Sequence, residues 1–204
     1  MNRETRTLSV PGPAGTIEAE ADDPSTALRG VVVLCHPHPQ HGGTMGNKVV
    51  QTLARAFVQM GYRAVRFNCR GVGAAQGQWD EGRGEIDDAL AVLAAVREPG
   101  LPLALGGFSF GGYVAAHAAA RLAAAAPVER LVLVGPATSR FDLPAVAPDT
   151  VVVHGEADDV VPLSATLDWA RPQALPVIVL PGVGHFFHGQ LTLLKSQVMQ
   201  AWHR

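Results

Sequence analysis

Nearly continuous apolar runs at residues 31–34, 64–67, 101–105, 131–134, 151–153 and 177–180 punctuate the chain, where a half-exposed strand would show alternation. A strand that is apolar at successive positions is covered on both faces, which is the condition of parallel strands with helical crossovers. Segments of helical period fill the gaps, at residues 48–60, 85–96, 110–126 and 191–202. The alternation predicts a three-layer α/β sandwich. Upstream, residues 5–10 and 16–21 flank the turn-forming cluster Pro11-Gly12-Pro13-Ala14-Gly15 and read as a hairpin. The expectation is a mostly parallel sheet of about eight strands with an antiparallel N-terminal hairpin. Residues 136–150, between the last strands, leave no room for a helical cap domain. Nothing marks a second domain, so residues 1–204 read as one.

With 204 residues, a chain buries roughly 70–75% of its unfolded surface and needs no staple. Hydrophobic residues at 48% and charged residues at 17% exclude intrinsic disorder. The 16 basic and 18 acidic residues leave a net charge of −2, which offers no footprint for nucleic acid or an anionic membrane. No apolar run approaches the roughly 20 residues of a membrane span. The N-terminal residues lack an apolar signal core, so a cytoplasmic location is expected. Cys35 and Cys69 each close an apolar run and read as buried thiols at strand ends, not as a disulfide framework.

The chemistry concentrates at Gly107-Phe108-Ser109-Phe110-Gly111, which leaves a strand and opens a helix. A G-x-S-x-G pattern has meaning in that strand–turn–helix context. The turn holds serine in a strained backbone conformation in which side chains two before and two after would collide, so both places need glycine. A serine hydroxyl is a poor nucleophile until an imidazole takes its proton and a carboxylate orients that imidazole. The run Val151-Val152-Val153-His154-Gly155-Glu156-Ala157-Asp158-Asp159 leads a strand into an acidic turn. Residues 177–180 lead through Pro181-Gly182-Val183-Gly184 to His185. Serine, carboxylate and imidazole thus follow three strands in turn. His188 is the weaker imidazole candidate, lying farther past the strand and inside the start of the last helix. His154, at a strand end, reads as a structural histidine; His117, in a helix, and His203, in the tail, have no role in this chemistry.

On these residues the chain resembles the α/β-hydrolase superfamily, and most closely its small, capless serine esterase and dienelactone-hydrolase-like branch. The resemblance runs from Val31 onward and rests on CHPHPQHGGTMGNKVV, FNCRGVGAAQG, GGFSFGG, HGEADDVVP and GVGHFFHG. Dienelactone hydrolases carry cysteine where this chain has serine. The resemblance implies Ser109 as nucleophile, His185 as base and, through the pattern H-G-x-x-D-x-x-V-P, Asp158 as acid, with Asp159 left as a turn or capping residue. It also implies an oxyanion hole formed by the N–H of Phe110 and, from the loop after the third strand, that of His38; Pro37 and Pro39 have no N–H to give, whereas Gln40 and the Gly42-Gly43 pair also carry amides.

The function expected is a serine carboxylesterase that cleaves short-chain esters of small molecules without metal or organic cofactor. Its activity should fall as pH drops through an imidazole pKa of about 6–7. Thioester or lactone hydrolysis would use the same groups. Two readings compete: zinc held by His36, His38 and His41, and a non-catalytic binding protein on a hydrolase scaffold. The sequence assigns no oligomeric state. Phe110, Trp79, Phe186 and Phe187 are candidates to line an acyl pocket, Trp79 and Phe186 being taken as substrate-binding. Arg70 with Asp87 or Asp88 reads as a loop clamp, and Asn47 before Lys48 as a helix cap.

Overall fold

The computed structural model describes residues 5–203. Along the chain run β1 (Arg6–Gly12), β2 (Gly15–Asp22), β3 (Gly30–Cys35), α1 (Lys48–Gln59), β4 (Tyr62–Phe67), α2 (Arg83–Val96), β5 (Leu103–Phe108), α3 (Phe110–Leu122), β6 (Leu131–Val134), β7 (Val151–Gly155), α4 (Leu163–Ala170), β8 (Val177–Leu180) and α5 (Leu191–Trp202). They build an eight-stranded sheet in the order β1-β2-β4-β3-β5-β6-β7-β8. The β1–β2 hairpin is antiparallel and joins β4 antiparallel; from β4 through β8 every pairing is parallel.

The continuous apolar runs divide by the period of two that a strand imposes. Val31, Val33 and Cys35 of β3, with Leu103, Leu105, Leu131 and Leu133, face a core completed by Ile86, Ala89, Val92 and Leu93 of α2 and by Val114, Ala115 and Ala118 of α3. Val32, Leu34, Ala104, Phe108, Val132 and Val134 face the opposite core, completed by Val49, Leu53 and Phe57 of α1 and by Leu194, Val198 and Trp202 of α5. Both faces of the central strands are therefore buried, and a solvent-facing polar position has no place on them.

Two expectations about elements need refinement. The helix read over 110–126 ends at Leu122, because Ala123, Ala125 and Ala126 turn back on Ala120 and Leu122 and Pro127 disfavours a helical residue before it. Helix α4 went unseen: it buries only Thr166 and Ala170, so its eight residues carry little amphipathic signal. Residues 136–150 contain no helix, as expected. The cap at Asn47 is present, its Oδ1 accepting from the N–H of Val49 and Val50. The loop clamp is Arg70–Asp88, made by Nη2 to Oδ1 at 2.8 Å and Nε to Oδ2 at 3.0 Å, while Asp87 pairs with Arg121. Cys35 and Cys69 are fully buried, and burial pushes both thiols up. No helix among the described residues is long and apolar enough to cross a membrane.

Candidate active site

Because β3, β5, β6, β7 and β8 run parallel, their C-terminal ends open onto one edge of the sheet, where α/β proteins hold ligands. Each of the loops leaving these strands contributes to one site. Ser109 leaves β5 with φ 56° and ψ −118°, a region that L-residues avoid. The turn is tight enough that a methyl group on Gly107 would stand 2.0 Å from the Gly111 carbonyl oxygen. A methyl on Gly111 would stand 2.2 Å from the carbonyl oxygen of Cys35. The two glycines of the motif therefore do separate work: one closes the turn and the other admits the loop after β3. Ser109 precedes the first residue of α3, where unpaired N–H groups and the helix dipole favour negative charge.

The three side chains singled out in the sequence meet. His185 Nε2 lies 3.0 Å from Ser109 Oγ and Nδ1 lies 2.7 Å from Asp158 Oδ2. A carboxylate can only accept, so Nδ1 carries the proton and Nε2 offers its lone pair to the serine hydroxyl. The remaining oxygen of Asp158, Oδ1, accepts from the N–H of Val160 at 2.9 Å and Val161 at 2.7 Å. Burial pushes the Asp158 carboxyl up, but the His185 hydrogen bond and the two backbone donors outweigh it and leave the group below its ordinary value. The acidic turn and the histidine loop are stitched together by Ala157 N–H to Val183 O at 3.0 Å. Asp159 and His188, the competitors, are both exposed.

His154 has a different environment from His185. Its Nε2 donates to Val161 O at 2.9 Å and lies 3.4 Å from Asp158 Oδ2, and its Nδ1 lies 3.2 Å from the Thr166 hydroxyl. Burial holds its pKa down. It is a neutral, satisfied residue behind the carboxylate. His117 bonds the Asp142 carbonyl from α3, and His203 lies exposed at the end of α5.

The loop after β3 does not bring its histidines to one point. His36 is fully buried; its Nε2 accepts from the Cys69 N–H at 3.0 Å and its Nδ1 donates to Pro37 O at 2.6 Å. Both ring nitrogens are thus engaged, and burial lowers the pKa to about 4. His38 turns the other way and stacks on His41 with ring centroids 4.4 Å apart. A zinc site on His36, His38 and His41 would have to take one His36 nitrogen from its present hydrogen bond, and no cluster of three or more His, Cys, Asp or Glu suited to a metal occurs among the described residues.

A cleft of about 400 Å³ opens over the serine, lined by His38, His41, Ser109, Phe110, Ala137, Arg140, Phe141, Val160 and Val161. Of the expected pocket aromatics only Phe110 lines it. Trp79 lies behind that wall, with its ring 4.7 Å from His38 and 5.2 Å from Phe110. Phe186 is 46% exposed at the rim, its ring edge-on to His185 at 5.1 Å. Phe187 is fully buried in the core shared by α1 and α5. Ala137, Arg140 and Phe141 were missed by sequence reasoning, although their loop follows a strand, β6, that ends on the same edge as β5.

The family Hydrolase_4, described as serine aminopeptidase S33, matches residues 26–146. The chain belongs to that family. A lidless α/β serine hydrolase from Xanthomonas campestris superposes with a TM-score of 0.91 and 35% identity, covering 100% of this chain and 96% of that one. An α/β serine hydrolase homologue from Coxiella burnetii gives 0.86 and 37%, covering 98% and 97%. An uncharacterised protein of Rickettsia prowazekii is 29% identical over 197 residues, 86% of this chain and 79% of its own. The chain is an α/β hydrolase without a lid.

Proposed function

We propose that this hydrolase is a serine carboxylesterase acting through an acyl-enzyme. The observation that carries the reading is the unbroken hydrogen-bonded line Ser109 Oγ, His185, Asp158 at the end of three parallel strands. His185 Nε2 takes the hydroxyl proton as Ser109 Oγ bonds to the ester carbonyl carbon. Asp158 fixes the ring tautomer and stabilises the imidazolium. The tetrahedral oxygen's negative charge is met by the Phe110 N–H at the start of α3, with the His38 N–H as the second donor. As the intermediate collapses, the imidazolium protonates the departing alcohol; His185 then deprotonates water, which releases the acid and restores Ser109.

Ester chemistry is favoured over aminopeptidase chemistry by the cleft itself. An aminopeptidase must hold an α-ammonium, and this lining contains two imidazoles, a guanidinium and no carboxylate. The test is hydrolysis of 4-nitrophenyl butyrate and of amino-acid 4-nitroanilides by the wild type and by Ser109→Ala, His185→Ala and the double variant. Each single change is expected to remove at least about 10³ of kcat on the ester, with the double no worse than the singles because the groups act as a unit. Faster turnover of the anilides, or additive losses, would contradict the reading.

A further inference from the structure

The cleft has a chemical sign. Its lining combines the rings of His38, His41, Phe110 and Phe141 with one full cation, Arg140. The rings stand close: Phe110 and Phe141 are 5.2 Å apart edge-on, and His38 is 5.1 Å from Phe110. Burial, then the neighbouring His41 and Arg140, hold the His38 imidazole below its ordinary pKa, so it presents a neutral face. The backbone of Arg140 is tied to that of the nucleophile by a short relay, while its side chain is exposed. Ser109 O accepts from the Ala137 N–H at 3.2 Å, and Ala137 O accepts from the N–H of Arg140 and of Phe141, both at 3.1 Å. Arg63, Arg66, Arg70, Arg83, Arg121 and Arg171 are all ion-paired. The Arg140 guanidinium has no ion pair or side-chain hydrogen bond among the described residues, and no acidic side chain lines the cleft with it.

We propose that the cleft takes esters with a planar, aromatic body bearing a carboxylate, and that Arg140 is the specificity-determining residue that meets this charge. The proposal rests on the ester-hydrolase reading above and narrows its substrate class. Planar groups pack well against the ring wall, and a guanidinium offers a carboxylate two parallel donors. The charge can sit on the acid or the alcohol side of the scissile bond, which two substrate pairs distinguish.

The experiment compares kcat/KM for 4-acetoxybenzoate against its methyl ester, and for monomethyl against dimethyl terephthalate, in the wild type, Arg140→Gln and Arg140→Lys. Intrinsic reactivity cancels when the charged-to-neutral ratio of one protein is divided by that of another. For at least one pair, that ratio should fall about tenfold in Arg140→Gln, with Arg140→Lys in between, and should shrink in molar salt. Calorimetric binding of 4-hydroxybenzoate and its methyl ester to Ser109→Ala, with and without Arg140→Gln, reads the same preference without turnover. Ratios unchanged within twofold for both pairs and for binding would overturn the proposal. Hydrolysis of none of the esters, with the binding preference for the carboxylate intact, would instead overturn the esterase reading and leave Arg140 as an anion-selecting residue.

Discussion

Ser109 occupies a backbone conformation, φ 56° with ψ −118°, that costs stability and, in the proposed mechanism, presents Oγ to His185. Ser109→Ala should therefore leave the thermal midpoint within a few degrees of wild type while removing at least about 10³ of kcat; a scan that retains full ester hydrolysis would refute the nucleophile. His36 makes a separate prediction. Its folded pKa of about 4 lies below the ordinary imidazole value of 6.5, so between these values the unfolded chain holds a proton that the folded chain lacks. Stability must fall as pH drops through that window, by up to about 3 kcal/mol from this residue alone. His154, also held down, acts in the same direction. Asp158 adds a loss only as pH falls below its usual carboxylate value of 3.8. Urea midpoints measured from pH 7 to 4.5 should decline steadily, and a flat profile would contradict this. Ser109 and His185 were legible because each is bracketed by glycines and follows a strand run, whereas the strand run before Asp158 marked only an acidic turn and the choice over Asp159 came from the family pattern. Arg140 and Phe141 were not, because a loop residue brought to the site by a short relay of backbone hydrogen bonds leaves no pattern behind.

At the scale of elements, the site depends on close backbone approach. Gly107→Ala and Gly111→Ala each place a methyl group 2.0 to 2.2 Å from a carbonyl oxygen, and backbone does not step aside as a side-chain tip can. Each should cost about 1–3 kcal/mol and lower kcat more than a surface substitution of equal destabilisation. Circular dichroism melts beside esterase assays check this, and a wild-type melt with wild-type rate would show that the turn is looser than described. The strands were readable because burial on both faces writes itself as apolar runs. α4 was not, since a short helix that buries only two residues has no face to display. The end of α3 was misjudged because alanine favours helix wherever it stands, while Ala123, Ala125 and Ala126 turn back on Ala120 and Leu122 ahead of Pro127.

Across the whole molecule, the absence of any helix in residues 136–150 leaves the cleft open above Ser109. An open site of about 400 Å³ gives a long alkyl chain nothing to be buried in beyond its first few carbons. Among 4-nitrophenyl acetate, butyrate and dodecanoate, kcat/KM should peak at the short chains; a clear preference for dodecanoate would refute this. The family match at residues 26–146 contains Ser109 but neither Asp158 nor His185, so the assembly of the three groups rests on the parallel order of β5, β7 and β8 rather than on any local stretch. Mass spectrometry after treatment with a fluorophosphonate tests that assembly most directly, because phosphonylation requires a serine already activated by its imidazole. One adduct is expected, on the peptide containing Ser109, and it should vanish in His185→Ala; an unlabelled wild-type protein, or an adduct on another residue, would contradict the account.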